Sequence, residues 1–280
     1  MRIIHPIAKM QSLAESLRNQ GRTIGFVPTM GFLHEGHLSL MRAARQECDT
    51  VVASIFVNPT QFGPGEDLER YPRDADGDRI KCEDARVDYL FMPAAADMYP
   101  EKPSVFVTVE GLSDVLEGAI RPGHFSGVAT VVSKLFHIVK PHKAFFGQKD
   151  YQQCAVIKRM VSGLNLDVKI IVLPTVRDQS GLAMSSRNSY LRDDERRCAA
   201  VIHRALSDAE QQVRNGVRQP EELKKAISRI LAGEQGVSIE YVEIADPDSL
   251  TPLTSEQSRM VMLVAVRLGR TRLIDNLLVL

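Results

Sequence analysis

The sequence has no surplus of either charge, no paired cysteines and no apolar run long enough to cross a membrane. Its 35 basic and 35 acidic residues cancel over 280 positions, which argues against a broad nucleic-acid-binding or membrane-binding surface. The four cysteines are scattered without a paired spacing, so we expect free thiols in a reducing compartment. Charged and polar residues follow Met1 within a few positions, which predicts no signal peptide. We therefore expect a cytoplasmic protein whose partners include neither nucleic acid nor a membrane.

The sequence also lacks the common signatures of nucleotide and zinc sites. It has no P-loop, and no Gly-x-Gly-x-x-Gly follows an apolar run. His34 and His37 are three positions apart, whereas the metalloprotease pattern needs histidines four apart. A nucleotide site in this chain must therefore be built from other residues.

Most of the chain alternates apolar runs with segments of helical periodicity. Hydrophobic residues make up 44% of the sequence, which is enough for a proper core. The alternation predicts an α/β fold with a doubly wound, parallel, Rossmann-like sheet over residues 1–175. The predicted strands are 23–27, 51–57, 87–92, 105–109, 144–146 and 168–173, and the predicted helices are 7–20, 38–47, part of 67–86, 128–139 and 151–162.

The pattern changes near residue 176, where strands no longer alternate with helices. Two helices are predicted over 193–215 and 220–232, followed by strands over 237–244, 260–268 and 273–274. We interpret residues 176–280 as a smaller C-terminal α+β domain, which we expect to act as a lid.

Polar loops follow four predicted strands, after Val27, Val57, Phe146 and Leu173. Ligands of open parallel sheets bind beyond the carboxyl ends of the strands. We therefore expect these four loops to converge on one crevice.

The first of these loops carries two histidines at the start of a helix. Gly31 suits a sharp turn, and Gly36 removes a side chain where a ligand would lie close. The spacing of His34 and His37 places both imidazoles on one face, beside backbone N–H groups that attract anions such as phosphate. A purely structural histidine pair or part of a zinc site would give the same local pattern.

The other loops carry candidate ligands of two kinds. Lys149 can grip a phosphate or form a surface ion pair with Asp150. The segment 184–188 offers two hydroxyls and a guanidinium, either as a phosphate clamp or as an ordinary loop before a helix. The amides of Gln61 and Gln153 can bind hydroxyls and carboxylates without adding charge, and Asn58 could do the same.

Several of these motifs resemble those of a known superfamily. The run His34-Glu35-Gly36-His37 resembles the His-Ile-Gly-His element of class I adenylate-forming nucleotidyltransferases, and residues 184–187 resemble their Lys-Met-Ser-Lys-Ser-type loop. With further matches at 28–31, 58–62, 121–125 and 146–153, the chain resembles the pantothenate synthetase family of pantoate–β-alanine ligases over residues 23–191.

The resemblance implies an ATP-dependent ligation, assisted by Mg²⁺, in which pantoate forms a pantoyl adenylate and β-alanine then displaces AMP. It implies a homodimer, assigns pantoate to Gln61 and Gln153, and places β-alanine beside Gln61. It assigns no metal ligands and leaves the roles of Asn58 and Arg121 open. The implied catalytic residues are His37 as proton donor, His34, Lys149 and Arg187. The implied ATP contacts are Met30, Gly31, Phe32, Leu33, His34, Glu35, Gly36, His37, Gly147, Gln148, Lys149, Asp150, Val176, Met184, Ser185, Ser186 and Arg187.

Three other activities are alternatives to the ligase. A nucleotidyltransferase acting on a different, phosphorylated acceptor would share the histidine element but leave Gln61 and Gln153 without a carboxylate to bind. A non-catalytic nucleotide sensor would bind ATP and release no pyrophosphate. An aminoacyl-tRNA synthetase fits less well, because the balanced charge offers little to tRNA.

Overall fold

The computed structural model describes all residues, 1–280, as two compact units. The first unit comprises Met1–Gly147 and Gln152–Pro174, and the second comprises Gln148–Tyr151 and Thr175–Leu280. No helix is long and apolar enough to cross a bilayer. All four cysteines are free thiols, as expected.

The first unit contains a six-stranded sheet with helices between its strands. The strands are β1 (Arg2–Ile4), β2 (Ile24–Thr29), β3 (Thr50–Ile55), β4 (Tyr89–Phe91), β5 (Lys143–Gly147) and β6 (Lys169–Leu173). The helices are α1 (Ile7–Asn19), α2 (Glu35–Glu47), α3 (Ala75–Asp84), α4 (Ala95–Met98), α5 (Glu117–Ile120), α6 (His124–Val139) and α7 (Tyr151–Gly163).

The order of strands in this sheet is β1-β4-β3-β2-β5-β6, and every pairing is parallel. The predicted parallel sheet is therefore confirmed. The chain runs from β2 through β3 towards one edge, and from β5 to β6 towards the other. The order thus reverses between β2 and β5, which is where parallel sheets bind their ligands.

The central strands are mostly apolar, with the buried Thr50 and Ser54 among the exceptions, because helices cover both faces of a parallel sheet. Phe26, Val51 and Phe145 are completely buried. Helix α2 contributes Leu40, Met41 and Ala44 to the core on one side of the sheet.

The second unit contains helices α8 (Asp193–Ala199), α9 (Val201–Arg214) and α10 (Pro220–Ala232) and strands β7 (Val237–Ala245), β8 (Met260–Leu268) and β9 (Thr271–Val279). The strands form an antiparallel sheet in the order β7-β8-β9, which confirms the smaller α+β unit. The central strand β8 is buried at every position except Arg267. Apolar side chains of α9 and α10 pack with the sheet in one core.

The secondary structure differs from the prediction in several places, among them the short helices α4 and α5, which were not predicted, and β9, which is longer than the predicted 273–274. Residues 105–109 form no strand, because the N–H of Val107 donates to Thr130 Oγ1 on α6 (2.9 Å) rather than to a neighbouring strand. The helix predicted over 193–215 is interrupted at Ala200, with no proline or glycine to mark the break. The short strand β1 was not predicted, since three residues carry too little periodicity.

Candidate active site

The turn between β2 and α2 is held by a buried carboxylate. Gly31 and Phe32 both have positive φ, +84° and +50° respectively. Asp78 on α3 is 1% exposed, and its two oxygens accept hydrogen bonds from the N–H groups of Phe32 (2.7 Å) and Leu33 (2.6 Å). A Cβ at position 31 would lie 2.9 Å from Ile55 Cγ2, so the turn needs glycine for space as well as for backbone angle.

Asp78 is a site-forming residue that the sequence reasoning missed. Burial raises the pKa of its carboxyl, although the two backbone hydrogen bonds act in the opposite direction. The residue lies in a charged stretch far along the chain from the turn, and nothing in its local pattern distinguishes it from its exposed neighbours Asp74 and Asp76. Its role follows only from the packing of α3 beside the turn.

The two histidines lie side by side at the first turn of α2. Their ring centroids are 4.0 Å apart. His34 Nδ1 accepts from the N–H of Gly36 (3.2 Å), and His37 Nδ1 accepts from the N–H of His34 (3.3 Å). An imidazole nitrogen that accepts carries no proton, so each ring carries its proton on Nε2. The turn therefore holds two imidazoles in the same tautomer, both with Nε2–H donors.

This histidine turn lies at the reversal of the strand order. β2 pairs with β5 through Gly25 with Lys143 and Phe26 with Ala144. The turn follows the carboxyl end of β2, and Gly147 is the last residue of β5. The N-terminus of α2 adds a partial positive charge at this point. The arrangement is suited to an anion.

The buried amide of Gln61 lies next to the histidine turn. Its side chain belongs to the loop after β3, and its Nε2 lies 3.2 Å from the Sδ of Met30. Its Oε1 accepts from Asn58 Nδ2 at 3.1 Å. The structure thus brings two of the four predicted loops together through this amide.

Asn58 sets the orientation of Gln61. It is 1% exposed, and its Nδ2 also donates to the carbonyl of Gly127 at 3.1 Å. Its Oδ1 accepts from the hydroxyl of Tyr99 at 2.9 Å. A Cβ at Gly127 would lie 2.3 Å from the carbonyl oxygen of Thr60, so only glycine lets α6 approach this loop. These contacts identify Asn58, whose role was open, as a buried positioning residue.

Arg121 and His124 hold the backbone of the same glutamine. His124 Nδ1 donates to the carbonyl of Gln61 (2.8 Å), and Arg121 Nη2 approaches the same oxygen at 3.4 Å. Arg121 also pairs with both oxygens of Glu66, at 2.7 and 2.6 Å. Burial disfavours the charged form of Glu66, but the hydrogen bonds and charge of Arg121 outweigh it and keep its pKa below the ordinary value. Arg121 therefore also has a positioning role.

His124 is held in its neutral form by these contacts. Its Nε2 lies 3.0 Å from Arg121 Nη1, and a guanidinium can only donate, so Nε2 is an acceptor. Burial, and next the charge of Arg121, lower the pKa of His124 to about 4. Protonation of Nε2 would place two donors face to face beside a second positive charge.

The two glutamines at the start of α7 differ in their surroundings. Gln152 is buried, and its amide hydrogen-bonds to the protein backbone. It donates to the carbonyls of Leu112 and Val115, both at 2.8 Å, and accepts from the N–H of Glu117 at 3.0 Å. Gln153, the predicted pantoate ligand, is half-buried at the next position.

The other predicted phosphate-binding residues belong to the second unit. Lys149 forms an ion pair with Asp150 (3.2 Å), which was one of the two interpretations of this dipeptide. The segment leading to Met184 is fixed by an antiparallel bridge between Arg177 and Ala183 and by the bond from Met184 N–H to Val176 O at 2.9 Å. The Ser185 hydroxyl accepts from the N–H of Arg187 at 3.3 Å and caps a short 3₁₀ helix over Ser186–Tyr190.

Three comparisons with known proteins give one answer. The model of the family described as pantoate–β-alanine ligase matches residues 2–278. A pantothenate synthetase from Thermodesulfovibrio yellowstonii is 52% identical over 280 residues, and the match covers 100% of both chains.

Solved structures agree with the sequence relatives. A crystal structure of pantothenate synthetase from Thermus thermophilus matches with a TM-score of 0.94 and 45% identity, over 99% of each chain. A pantoate–β-alanine ligase from Francisella tularensis, in complex with β-γ ATP and β-alanine, matches with a TM-score of 0.81 and 37% identity, over 99% of this chain and 97% of that one.

Proposed function

Because the chain belongs to the pantoate–β-alanine ligase family, we propose that it joins pantoate to β-alanine in two steps at the expense of ATP. In the first step a carboxylate oxygen of pantoate attacks the α-phosphorus of ATP, and the bond to the β-phosphate breaks. Pantoyl adenylate and pyrophosphate result. In the second step the amine of β-alanine attacks the activated carbonyl, loses a proton and displaces AMP, leaving pantothenate.

The observation that carries this proposal is the histidine turn at the reversal of the strand order. Two Nε2–H donors beside the N-terminus of α2 are suited to the negative charge that gathers on pyrophosphate as it leaves. We propose that both His34 and His37 donate hydrogen bonds to the phosphates, and that His37 acts as the proton donor through the hydrogen bond of its Nε2–H, which keeps its proton because a neutral imidazole is a very weak acid. Asp78 acts through the turn, since it holds the backbone just ahead of the histidines.

We assign the remaining ATP contacts by family membership. Lys149 and Arg187 would supply positive charge where the departing pyrophosphate develops negative charge. The other proposed contacts are Met30, Gly31, Phe32, Leu33, Glu35, Gly36, Gly147, Gln148, Asp150, Val176, Met184, Ser185 and Ser186.

The carboxylate of pantoate is proposed to lie against Gln61 and Gln153. An amide donates to a carboxylate without neutralising it, so the carboxylate remains a nucleophile for the α-phosphorus. The fixed orientation of Gln61 supports this role, because Asn58 binds its Oε1 and thereby leaves the Nε2 end as the donor towards a substrate. We place β-alanine beside the same glutamine.

Mg²⁺ is proposed to enter with the nucleotide. No cluster of three or more acidic, histidine or cysteine side chains is arranged to hold a metal ion. This fits a magnesium ion bound mainly through phosphate oxygens and water, with few protein ligands. When bound, the ion would neutralise charge on the phosphates.

A homodimer is the proposed assembly, in the cytoplasm. Val105 and Phe106 are exposed large apolar residues, with 78% and 53% of their surface open, in a segment that pairs with no strand of its own chain. Such a segment is suited to burial against a second copy.

The proposed domains are 1–175 and 176–280. Small-angle scattering with and without an ATP analogue and pantoate tests whether the second domain acts as a lid.

The test of the function is pyrophosphate release from ATP by the purified protein with Mg²⁺ and pantoate. We expect release that depends on pantoate, and sustained formation of AMP only after β-alanine is added. No release with pantoate would contradict the ligase, and release only when a phosphorylated acceptor replaces pantoate would favour a nucleotidyltransferase. ATP binding without any release would favour a nucleotide sensor.

A further inference from the structure

Asn276 on β9 holds the backbone of the Gln148–Asp150 segment. The residue is 3% exposed, and its Nδ2 donates to the carbonyl oxygens of Gln148 (2.9 Å) and Lys149 (2.8 Å). Its Oδ1 accepts from Gln148 Nε2 at 3.3 Å. Every polar atom of this amide is thus directed at one short segment, the one that carries Lys149.

The preceding residue, Asp275, holds the other segment of the second unit. Its two oxygens accept from Arg177 Nη1 (2.6 Å) and Nη2 (3.0 Å), and Arg177 also donates to the carbonyl of Gly181 at 3.1 Å. Arg177 is bridged to Ala183, the residue before Met184. Asp275 therefore fixes the start of the segment that leads to Arg187.

Neighbouring residues on one strand can serve both segments because successive side chains point to opposite faces of a sheet. Leu273 and Leu277 on the same strand pack in the apolar core. Asp275 shares the face of these leucines and Asn276 lies on the opposite face, and both are buried, where a carboxylate or an amide is costly unless it is fully hydrogen-bonded. Asn276 and Asp275 make these hydrogen bonds to the two segments assigned to ATP. The polar pair therefore holds these segments in place in addition to its position in the sheet.

We propose that Asp275 and Asn276 are positioning residues for ATP: together they preorganise the two segments that carry Lys149 and Arg187. The inference rests on the proposed function, since that function assigns both segments to ATP. Neither residue touches the reacting atoms. Each acts by fixing backbone from which a cationic side chain extends, so that less order has to be gained when the nucleotide binds.

The test compares Asn276→Ala with Leu273→Val, a change on the same strand that loosens the core without touching the Gln148–Asp150 segment. The readout is the Kd of α,β-methylene-ATP with Mg²⁺, measured by titration calorimetry. We expect Asn276→Ala to raise the Kd about tenfold or more, since it removes three hydrogen bonds to the segment, and Leu273→Val to leave it within about twofold. Hydrogen exchange should become faster in residues 147–151 of the alanine variant only.

Asp275→Asn tests the other half of the pair. It keeps the volume of the side chain but gives Arg177 a poorer partner, so exchange should become faster in residues 176–187 and the Kd should again rise. If Asn276→Ala does not fold, Asn276→Ser takes its place in the same comparison.

An unchanged Kd in the folded Asn276 and Asp275 variants would overturn the inference. An equal rise in the Kd of Leu273→Val would also overturn it, since that would indicate a general loosening of the core. This readout needs no catalysis. If the wild-type protein binds the analogue but releases no pyrophosphate with pantoate, the ligase assignment fails, while the comparison of Kd values still decides the role of the pair.

Discussion

His124 makes the stability of the Gln61 network depend on pH, and His124→Asn removes that dependence. In the native state Nδ1 donates to the carbonyl of Gln61 and Nε2 faces Arg121, so the imidazole is neutral. Its native pKa is about 4, against an ordinary value of 6.5. Asparagine keeps a donor close to the position of Nδ1 and has no proton to gain.

The direction of this pH dependence follows from whether the folded or the unfolded chain binds the proton. Between about pH 6.5 and about pH 4 the unfolded chain protonates this histidine while the folded chain does not. The contribution of neutral His124 to the free energy of unfolding is therefore complete above pH 6.5 and is lost as the pH falls towards about 4. With these two pKa values, the free energy of unfolding should drop by about 2 kcal/mol between pH 7.5 and pH 5 through this residue alone.

The assay is urea unfolding of the wild type and His124→Asn at both pH values. Other titrating groups are common to both proteins, so they cancel when the pH-induced change in one protein is subtracted from that in the other. We expect the wild type to lose about 2 kcal/mol more than the variant on going to pH 5. Equal losses would refute the neutral, buried histidine and the hydrogen-bond directions assigned to it.

Three further substitutions test the site. His37→Ala should lower the rate of pyrophosphate release by roughly two to three orders of magnitude, as expected for the loss of a donor to developing charge, measured in single turnover; an unchanged rate would remove His37 from the mechanism. Asp78→Asn should lower the free energy of unfolding by about 1.5–3 kcal/mol, since one backbone N–H loses its acceptor, and should lower kcat as well. The exposed Asp76→Asn on the same helix turn is its control, and equal effects of the two would contradict the anchoring role. Gln61→Glu should raise the KM for pantoate about tenfold or more through repulsion between carboxylates while sparing the KM for ATP, as initial-rate kinetics would reveal; similar rises in both constants would count against the placement of pantoate.

The parallel sheet was predictable because its strands are short apolar runs bounded by turn residues. The histidine turn was predictable because its glycines and histidines are neighbours in sequence. The same local reasoning was wrong for residues 105–109. Their composition is strand-like, but the N–H of Val107 bonds to a side chain of α6 rather than to another strand.

The residues that hold the site in place were not predictable in this way. Asp78 is 46 positions from the N–H of Phe32 that it binds. Asn276 is 128 positions from the carbonyl of Gln148. Nothing in the local pattern of a charged helix or an apolar strand identifies such partners, since their role arises only when distant elements pack together. Local sequence thus indicates candidate side chains for the chemistry, and the packing reveals what orients them.

The adenylate is the central claim, and the most direct test follows the oxygen atoms of pantoate. Pantoate labelled with ¹⁸O in its carboxylate is incubated with the protein, ATP, Mg²⁺ and β-alanine, and the products are examined by mass spectrometry. Attack of the carboxylate on the α-phosphorus predicts AMP that carries one ¹⁸O atom, because the bridging oxygen leaves with AMP when the amine attacks. Label in inorganic phosphate with formation of ADP, or unlabelled AMP, would contradict the account.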